Sequence, residues 1–384
     1  MEKIYDLIIV GAGPAGLTAG IYGARAKMDT LIIEKGSIGG MASKTKEIVN
    51  YPGIPKTSGE NLGEVMSKHA EGLGAKIARD SIRTVELDGE IKVLKSRRKE
   101  YKARSVIFAT GTKPRILGIP GEIEFKGKGV AYCATCDAEF FSNQVVVVVG
   151  SGDQAIEEGM FISKYASKVK VIVLHGEGIL DCNKLSAEEA LKNPKMEFIW
   201  NSTLDEICGE DSVDRVKIKN IKTGETSEIS CKGIFFFVGM VPNTEFLEET
   251  SIDLDKKGHI QCDEILNTSI SGVFVAGDVR NKYLKQVVTA TSDGAVAAMA
   301  AEKYLEEMNI YEKRIKNANQ PIAVGFWDSI AKDGIKILME EESKLQKENL
   351  EVKDFIYIDI NKNKYLAKIF NKENIDKPEF IVIK

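Results

Sequence analysis

The chain has 384 residues, 43% of them hydrophobic and 29% charged, and a formal charge of −4. That length exceeds what one hydrophobic core organises and predicts two or three domains, while the acidic balance argues against a nucleic-acid backbone as partner. No segment is apolar over membrane-spanning length, and Met1 to Asp6 run straight into an apolar strand without a signal-like leader, so a soluble, cytoplasmic protein without membrane contact is expected.

The first predicted strand, Asp6 to Val10, opens into Gly11-Ala12-Gly13-Pro14-Ala15-Gly16, then a helical stretch to about Ala26 and a second strand, Thr30 to Ile33, ending in Glu34. Gly11 permits a tight turn, Gly13 lets a pyrophosphate approach the backbone at a helix N-terminus, and Gly16 lets helix and strand pack closely. Glu34 then stands where a carboxylate accepts hydrogen bonds from ribose hydroxyls. Strand, turn, helix, strand and acid in this order predict a dinucleotide-binding fold.

Further on, Cys133-Ala-Thr-Cys136 is followed by Asp137. Two cysteines at this spacing at a helix start close a small disulfide, and the unpaired amides there stabilise a thiolate. A zinc half-site needs a partner pair, but Cys182, Cys208, Cys231 and Cys262 stand alone and His69, His175 and His259 are scattered, so no metal site is assembled by spacing. A purely structural disulfide remains the alternative; in a reducing compartment a redox couple is favoured over it.

A second turn follows the strand Gln144 to Val149 as Gly150-Ser151-Gly152-Asp153-Gln154-Ala155, and Val169 to Leu174 reads as the next strand. Gly272 to Asp278 then presents a strand ending in Gly277-Asp278, where an Asp can hydrogen-bond polyol hydroxyls, before a helix from about Thr289 to Glu307. Residues 313–319 are polar and aperiodic and read as a linker. Beyond them come a strand (Pro321–Trp327), a helix (Asp328 to about Lys347), a strand (Asp354–Ile360), a short helix (Lys364–Asn371) and a last strand (Glu379–Ile383), a small α/β unit of about 65 residues.

On Gly11-Ala-Gly13-Pro-Ala-Gly16, Glu34, Gly39-Gly40, Asn50-Tyr-Pro-Gly53, Ala109-Thr-Gly111, Tyr132-Cys-Ala-Thr-Cys-Asp137, Gly150-Ser-Gly152, Pro242-Asn-Thr244 and Gly277-Asp278, residues 1–312 resemble the low-molecular-weight thioredoxin reductases. The resemblance implies an α/β chain with two Rossmann-like, three-layer domains, one inserted in the other: an FAD-binding domain of residues 1–117 and 242–312, and an NAD(P)-type domain of residues 118–241 carrying the cysteines. It implies FAD contacts from Gly11, Gly13, Glu34, Asn50, Thr110, Gly111, Asp278 and Gln286, with Pro14, Ala15, Gly16, Gly40, Gly277, Lys285 and Val287 completing the site, and a homodimer. Two departures stand out: Met41 replaces the family's Gln, and Lys285 its Arg, which keeps the charge but loses the planar fork.

In that family the strand after the second turn ends in His-Arg-Arg, with a third Arg beyond, and these hold the 2′-phosphate of NADPH. Here His175 is followed by Gly176 and Glu177, and Asp181 takes the third position. Carboxylates in place of cations repel a phosphate by roughly 1 kcal/mol or more per charge near a surface. A nicotinamide site at Gly150, Gly152, Asp153, Gln154, Ala155, His175 and Glu177 is thereby set against NADPH. Three donors stay open: NADH, with Glu177 accepting a ribose hydroxyl; ferredoxin or another protein, as in related flavoproteins that have abandoned the nicotinamide site; and NADPH, which is disfavoured.

Residues 320–384 are similar to thioredoxin itself, through the Phe326-Trp327 strand end and Pro378, but Asp328-Ser-Ile-Ala331 replaces the redox motif and the chain stops before the last strand and helix. This implies a truncated, redox-inactive thioredoxin-like domain; an unrelated α/β appendage is the alternative. The resemblance as a whole implies electron flow from a donor through FAD to Cys133–Cys136 and on to a thioredoxin-like disulfide, with Cys136 facing the flavin and Cys133 performing the exchange. Asp137 either moves the proton that thiol departure requires or simply caps the helix. The dithiol must touch the flavin and then meet a protein, which calls for a hinge near Pro114 to Gly118 and Val241 to Thr244. Two rivals are a regulatory or scaffold flavoprotein with a blocked dithiol, and a peroxide or oxygen reductase, whose usual second cysteine pair the tail lacks.

Overall fold

A computed structural model describes residues 3–45, 48–348 and 351–383. The apolar run Ile4–Val10 is strand β1, followed by helix α1 (Pro14–Arg25), β2 (Thr30–Glu34), α2 (Gly59–Gly72), β3 (Lys76–Arg79) and a meander of β4 (Thr84–Glu86), β5 (Lys92–Lys95) and β6 (Glu100–Phe108). The chain leaves this unit through β7 (Thr112–Pro114). It then builds β8 (Val130–Ala131), α3 (Ala134–Asp137), β9 (Val145–Val149), α4 (Asp153–Ser163), β10 (Lys168–Ile172), α5 (Lys184–Lys192), β11 (Met196–Ile199), a three-stranded meander β12 (Ser202–Gly209), β13 (Val213–Asn220) and β14 (Thr226–Ser230), and β15 (Gly233–Phe236). It returns through β16 (Met240–Pro242) to add β17 (Val273–Val275) and α6 (Val287–Ile310) to the first unit.

The first sheet has the order β3-β2-β1-β6-β5-β4, with β17 pairing the carboxyl half of β6. Side chains alternate across a strand, so Leu7 and Ile9 face the layer of α1 and α6, while Ile8 and Val10 face Leu87, Leu94 and Leu247 on the opposite side. Both faces of β1 are covered, which is why its sequence is apolar throughout rather than alternating. The inserted unit repeats the plan with the order β11-β10-β9-β15-β8, its central β9 being five consecutive valines. The two crossings between units, β7 and β16, pair with each other antiparallel, with Val241 opposite Lys113.

The C-terminal unit is a three-stranded sheet: central β18 (Ile322–Trp327) has β19 (Asp354–Asp359) parallel on one side and β20 (Glu379–Ile383) antiparallel on the other, with α7 (Gly334–Glu348) and α8 (Lys364–Ile369) between them in sequence. Two expectations are corrected here. Residues 313–319 are not an extended linker: α6 runs on into a π-helical turn, Tyr311–Lys316, whose wide period sets Ile310 and Ile315 on one side, and Ile315 is buried against Phe326 and Ile358. And α7 does not start at Asp328. The Asp328 carboxylate accepts the amides of Ile330 and Ala331, which fixes a turn there, and Asp333 with φ of 60° ends it just before Gly334.

Candidate active site

β1 ends in a turn that only glycine can make. Gly11 has φ of 110°, and a Cβ on it would stand 2.3 Å from the carbonyl oxygen of Ala109. The turn delivers Gly13 as the N-cap of α1 with Pro14 at the first helical position, so the unpaired amides of α1 point out of the turn. Glu34, at the end of β2, accepts the amide of Ala12 at 2.7 Å and that of Gly36 at 2.6 Å, which fixes its carboxylate at the mouth of the turn. Gly40 comes up against Gly13 from the short 3-10 helix Gly40–Lys44, and Gly277 against Ala15.

The remaining expected cofactor residues fall into separate groups. Thr110 and Asn243 exchange two hydrogen bonds of 2.8 Å, locking Thr110-Gly111 to the chain returning from the inserted unit. The Asn50 amide donates to the Gln286 carbonyl at 3.1 Å, and Gln286 with Thr289 forms the capping box that starts α6 at Val287. Lys285 is turned elsewhere: its ammonium lies 2.9 Å from His259 Nε2, and burial holds its pKa below the usual lysine range. Asp278 is placed at the turn with its buried Oδ1 lacking a hydrogen bond among the described residues, although Lys282 Nζ is 3.3 Å away.

Sequence reasoning missed what holds this loop. Asp293, on α6 and 6% exposed, accepts the Gly277 amide, both forks of Arg280 at 2.9 Å and Lys282 at 3.1 Å. Burial alone would raise its pKa, but Arg280 and Lys282 outweigh that and keep it ionised. No local motif marks it; only the spacing from Gly277-Asp278 to an acid nearly two turns into the next helix hints at it.

Cys133 and Cys136 are joined as a disulfide. Cys133 is the N-cap of α3 and its sulfur accepts the Cys136 amide at 3.2 Å; Asp137 closes the turn and leads into a second short 3-10 helix, Ala138–Phe141. Cys136 Sγ sits 3.2 Å from the carbonyl oxygen of Lys44, in the cofactor unit, so of the two sulfurs it is this one that meets the flank of the first dinucleotide turn. Just upstream lies another missed group, Glu122, with no solvent exposure. It accepts the amides of Leu117, Gly118 and Ile119 and the Tyr132 hydroxyl, tying the segment that enters the inserted unit to the residue before Cys133. Burial, then Glu122, pushes the Tyr132 phenol far above its ordinary pKa.

The second turn is built like the first. Gly150, with φ of 127°, passes so close to Phe237 that a Cβ would lie 2.4 Å from its carbonyl oxygen, and Gly152 caps α4, with Asp153 and Gln154 exposed and Ala155 buried. Here the chain folds back on itself. Asp181 accepts the Ser151 hydroxyl at 2.7 Å and lies 2.8 Å from His175 Nε2, its amide donates to Ser151 O at 2.9 Å, and Asn183 donates twice to Asp153. The Ser151 hydroxyl, followed by His175, lowers the Asp181 pKa, so the turn carries a fixed carboxylate. Glu177 is exposed beside it.

Two nested dinucleotide folds, with a disulfide of the inner one meeting the Gly40–Lys44 helix of the outer one, define a flavin-dependent disulfide oxidoreductase. The family described as pyridine nucleotide-disulphide oxidoreductase matches residues 5–294, and the chain belongs to it. Within it the chain is thioredoxin reductase-like. It is 49% identical to the thioredoxin reductase of Peptoclostridium acidaminophilum over 313 residues, 80% of this chain and 98% of that one. It is 43% identical to that of Bacillus subtilis over 317 residues, 82% and 99% of the two chains. The solved Lactococcus lactis thioredoxin reductase, described as the FR conformation, superimposes with a TM-score of 0.74 at 40% identity over 79% of this chain and 99% of its own. FAD is the cofactor of this class. The residues fit it: the α1 amides face a pyrophosphate, Glu34 a ribose, and the Asp278 oxygen without a donor a polyol. Among the described residues no cluster of His, Cys, Asp or Glu is placed to hold a metal, and no helix is long and apolar enough to cross a membrane.

Proposed function

We propose that the chain reduces a protein disulfide of the thioredoxin type, using the Cys133–Cys136 pair, and receives its electrons from a protein such as ferredoxin rather than from NADPH. FAD, held by the Gly11–Gly16 turn, Glu34, Asp278 and Gln286, supplies a two-electron carrier beside the disulfide. Two electrons and two protons convert Cys133–Cys136 to a dithiol. Cys133 as thiolate then attacks the substrate disulfide, a mixed disulfide forms, and Cys136 displaces the reduced partner as the ring closes again. The position of Cys136 against Lys44 supports giving it the inner, flavin-facing role, and we assign the proton to Asp137, at the end of the same short helix. The chain passes between the two units through the paired crossings β7 and β16, and we assign the reorientation that presents the dithiol to its substrate to them. We read the tail's β19-β18-β20 order, with β20 antiparallel to the central β18, as a thioredoxin-like unit without its cysteines.

The observation that carries the donor reading is the Asp181 carboxylate hydrogen-bonded into the second turn, because an anion fixed there opposes a dinucleotide phosphate. NADH is a second reading, favoured by the exposed Glu177, which can accept from a ribose. Anaerobic mixing decides between them. Reduced ferredoxin should bleach the flavin absorbance, NADH slowly or not at all, and rapid bleaching by NADPH would refute the reading. Cys136→Ser should leave the flavin reducible while abolishing disulfide reduction; retained turnover would overturn the relay.

A further inference from the structure

The overall charge of −4 hides a strong local asymmetry. Between residues 76 and 104 the sequence carries ten Lys and Arg against five Asp and Glu. Six cations from three separate segments line one cleft of about 450 Å³ on the cofactor unit: Lys35 beyond β2, Arg79 and Arg83 on either side of the crossover from β3 to β4, and Arg97, Arg98 and Lys99 in the β5–β6 turn. All six are exposed, and none forms an ion pair among the described residues. The one acid in the lining, Asp80, is engaged by the Tyr101 hydroxyl at 2.8 Å and by its neighbour's amide.

The cations are held on fixed backbone. Ser96 Oγ accepts the amides of Arg98 and Lys99, and the Ser96 amide donates to Lys99 O, which fixes the turn; the Asp80 amide donates to Glu34 O at 3.0 Å, which joins the crossover to the strand end that carries the ribose carboxylate. Asp80 offsets Lys99 and Glu245 acts on Lys35, but six cations collected this closely still repel one another, and a multivalent anion opposite them relieves that repulsion. Four of the six are arginines, whose planar forks match carboxylates in pairs. A charged, solvent-exposed face of this kind accelerates encounter with a complementary protein more than it tightens the complex.

We propose that this cleft is the docking face for an acidic electron-donor protein, an inference that rests on the protein-donor reading given above. The carboxylates of such a partner would be received by the Arg97-Arg98-Lys99 turn and the Arg79–Arg83 crossover, on the unit that holds the flavin. A nucleic acid is the less favoured occupant, because the rest of the chain is net acidic and would repel a longer phosphate backbone.

The test uses the intact flavoprotein and the triple charge reversal Arg97→Glu, Arg98→Glu, Lys99→Glu. Poly-L-glutamate, which carries no electrons, should bind the parent at low salt, more weakly as salt rises, and at least tenfold more weakly to the variant. Equal binding to both, or none to the parent, overturns the proposal, as does tighter binding of a single-stranded oligonucleotide of equal charge. Reduced ferredoxin should bleach the variant's flavin at least tenfold more slowly than the parent's at low salt, while dithionite bleaches both alike. Equal ferredoxin rates would sink the docking face and leave the donor reading standing. Failure of ferredoxin to bleach either protein, with polyglutamate still captured by the parent alone, would sink the donor reading and leave the face.

Discussion

Glu122 is a carboxylate without solvent contact that satisfies three amides and a phenol next to the redox disulfide. Removing it leaves three amides and a phenol, all at most partly buried, without their acceptor, so Glu122→Ala should lower the stability of the inserted unit by about 1–2 kcal/mol in urea unfolding, and Glu122→Gln by less. Asp293 plays the equivalent part for the cofactor loop. Asp293→Asn should loosen FAD, raising its dissociation constant roughly tenfold or more in an apoprotein titration, because one charge-assisted fork to Arg280 is lost. Neither residue is legible in the sequence. Gly11, Gly13, Gly16 and Glu34 are, because their placement follows from local spacing within one strand-turn-helix unit, whereas Glu122 and Asp293 act on partners that only the tertiary fold delivers. Asp181 is intermediate: its charge could be read, but not its hydrogen bond to Ser151 thirty residues away.

At the scale of elements, the tail is joined to the body by a helix end rather than a string. α8 is seated on α6, where Glu307, fully buried, accepts the Leu366 amide at 2.9 Å and Tyr365 donates to Asn267 at 2.7 Å. Burial raises the Glu307 pKa despite the Leu366 amide, and its Oε1 has no hydrogen bond among the described residues, with Lys303 Nζ 3.9 Å off. A carboxyl whose folded pKa is raised stabilises the seat below its unfolded pKa, near the ordinary carboxylate range, and that contribution is lost as pH rises through the folded value. Protection factors of the α8 amides, that is exchange corrected for the intrinsic rate at each pH, should therefore be higher at pH 5 than at pH 8, and Glu307→Gln should remove most of that difference. The polar composition of residues 313–319 gave no warning of this seat, because a π turn places apolar residues five apart and so matches neither a helical nor a strand period.

At the scale of the molecule, two dinucleotide-type units were legible because each repeats the same strand, glycine turn and helix; that one is inserted in the other came only from the resemblance to thioredoxin reductases, and the pairing of the crossings was not legible, since three-residue strands carry no period. That pairing confines any swing of the inserted unit to a two-stranded ribbon. A dye pair on Ile4 and Leu185, both exposed and on different units, should change its transfer efficiency when a protein disulfide is added. A pair on Ile4 and Met339 should stay constant. Constancy of both would mean that the units do not move in turnover.

The seat of α8 decides which of the moving parts carries the tail. Every described tie of the C-terminal unit, through Glu307, Asn267, Ala300 and the Arg314–Asp354 pair, runs to the half of the molecule that grips the flavin or to its helical extension. In the reorientation proposed above the appendage is thus part of the stator: as the cysteine-bearing unit swings, it would keep a constant bearing on the cofactor, and a guest that holds on to it would be presented to each successive stroke from the same side.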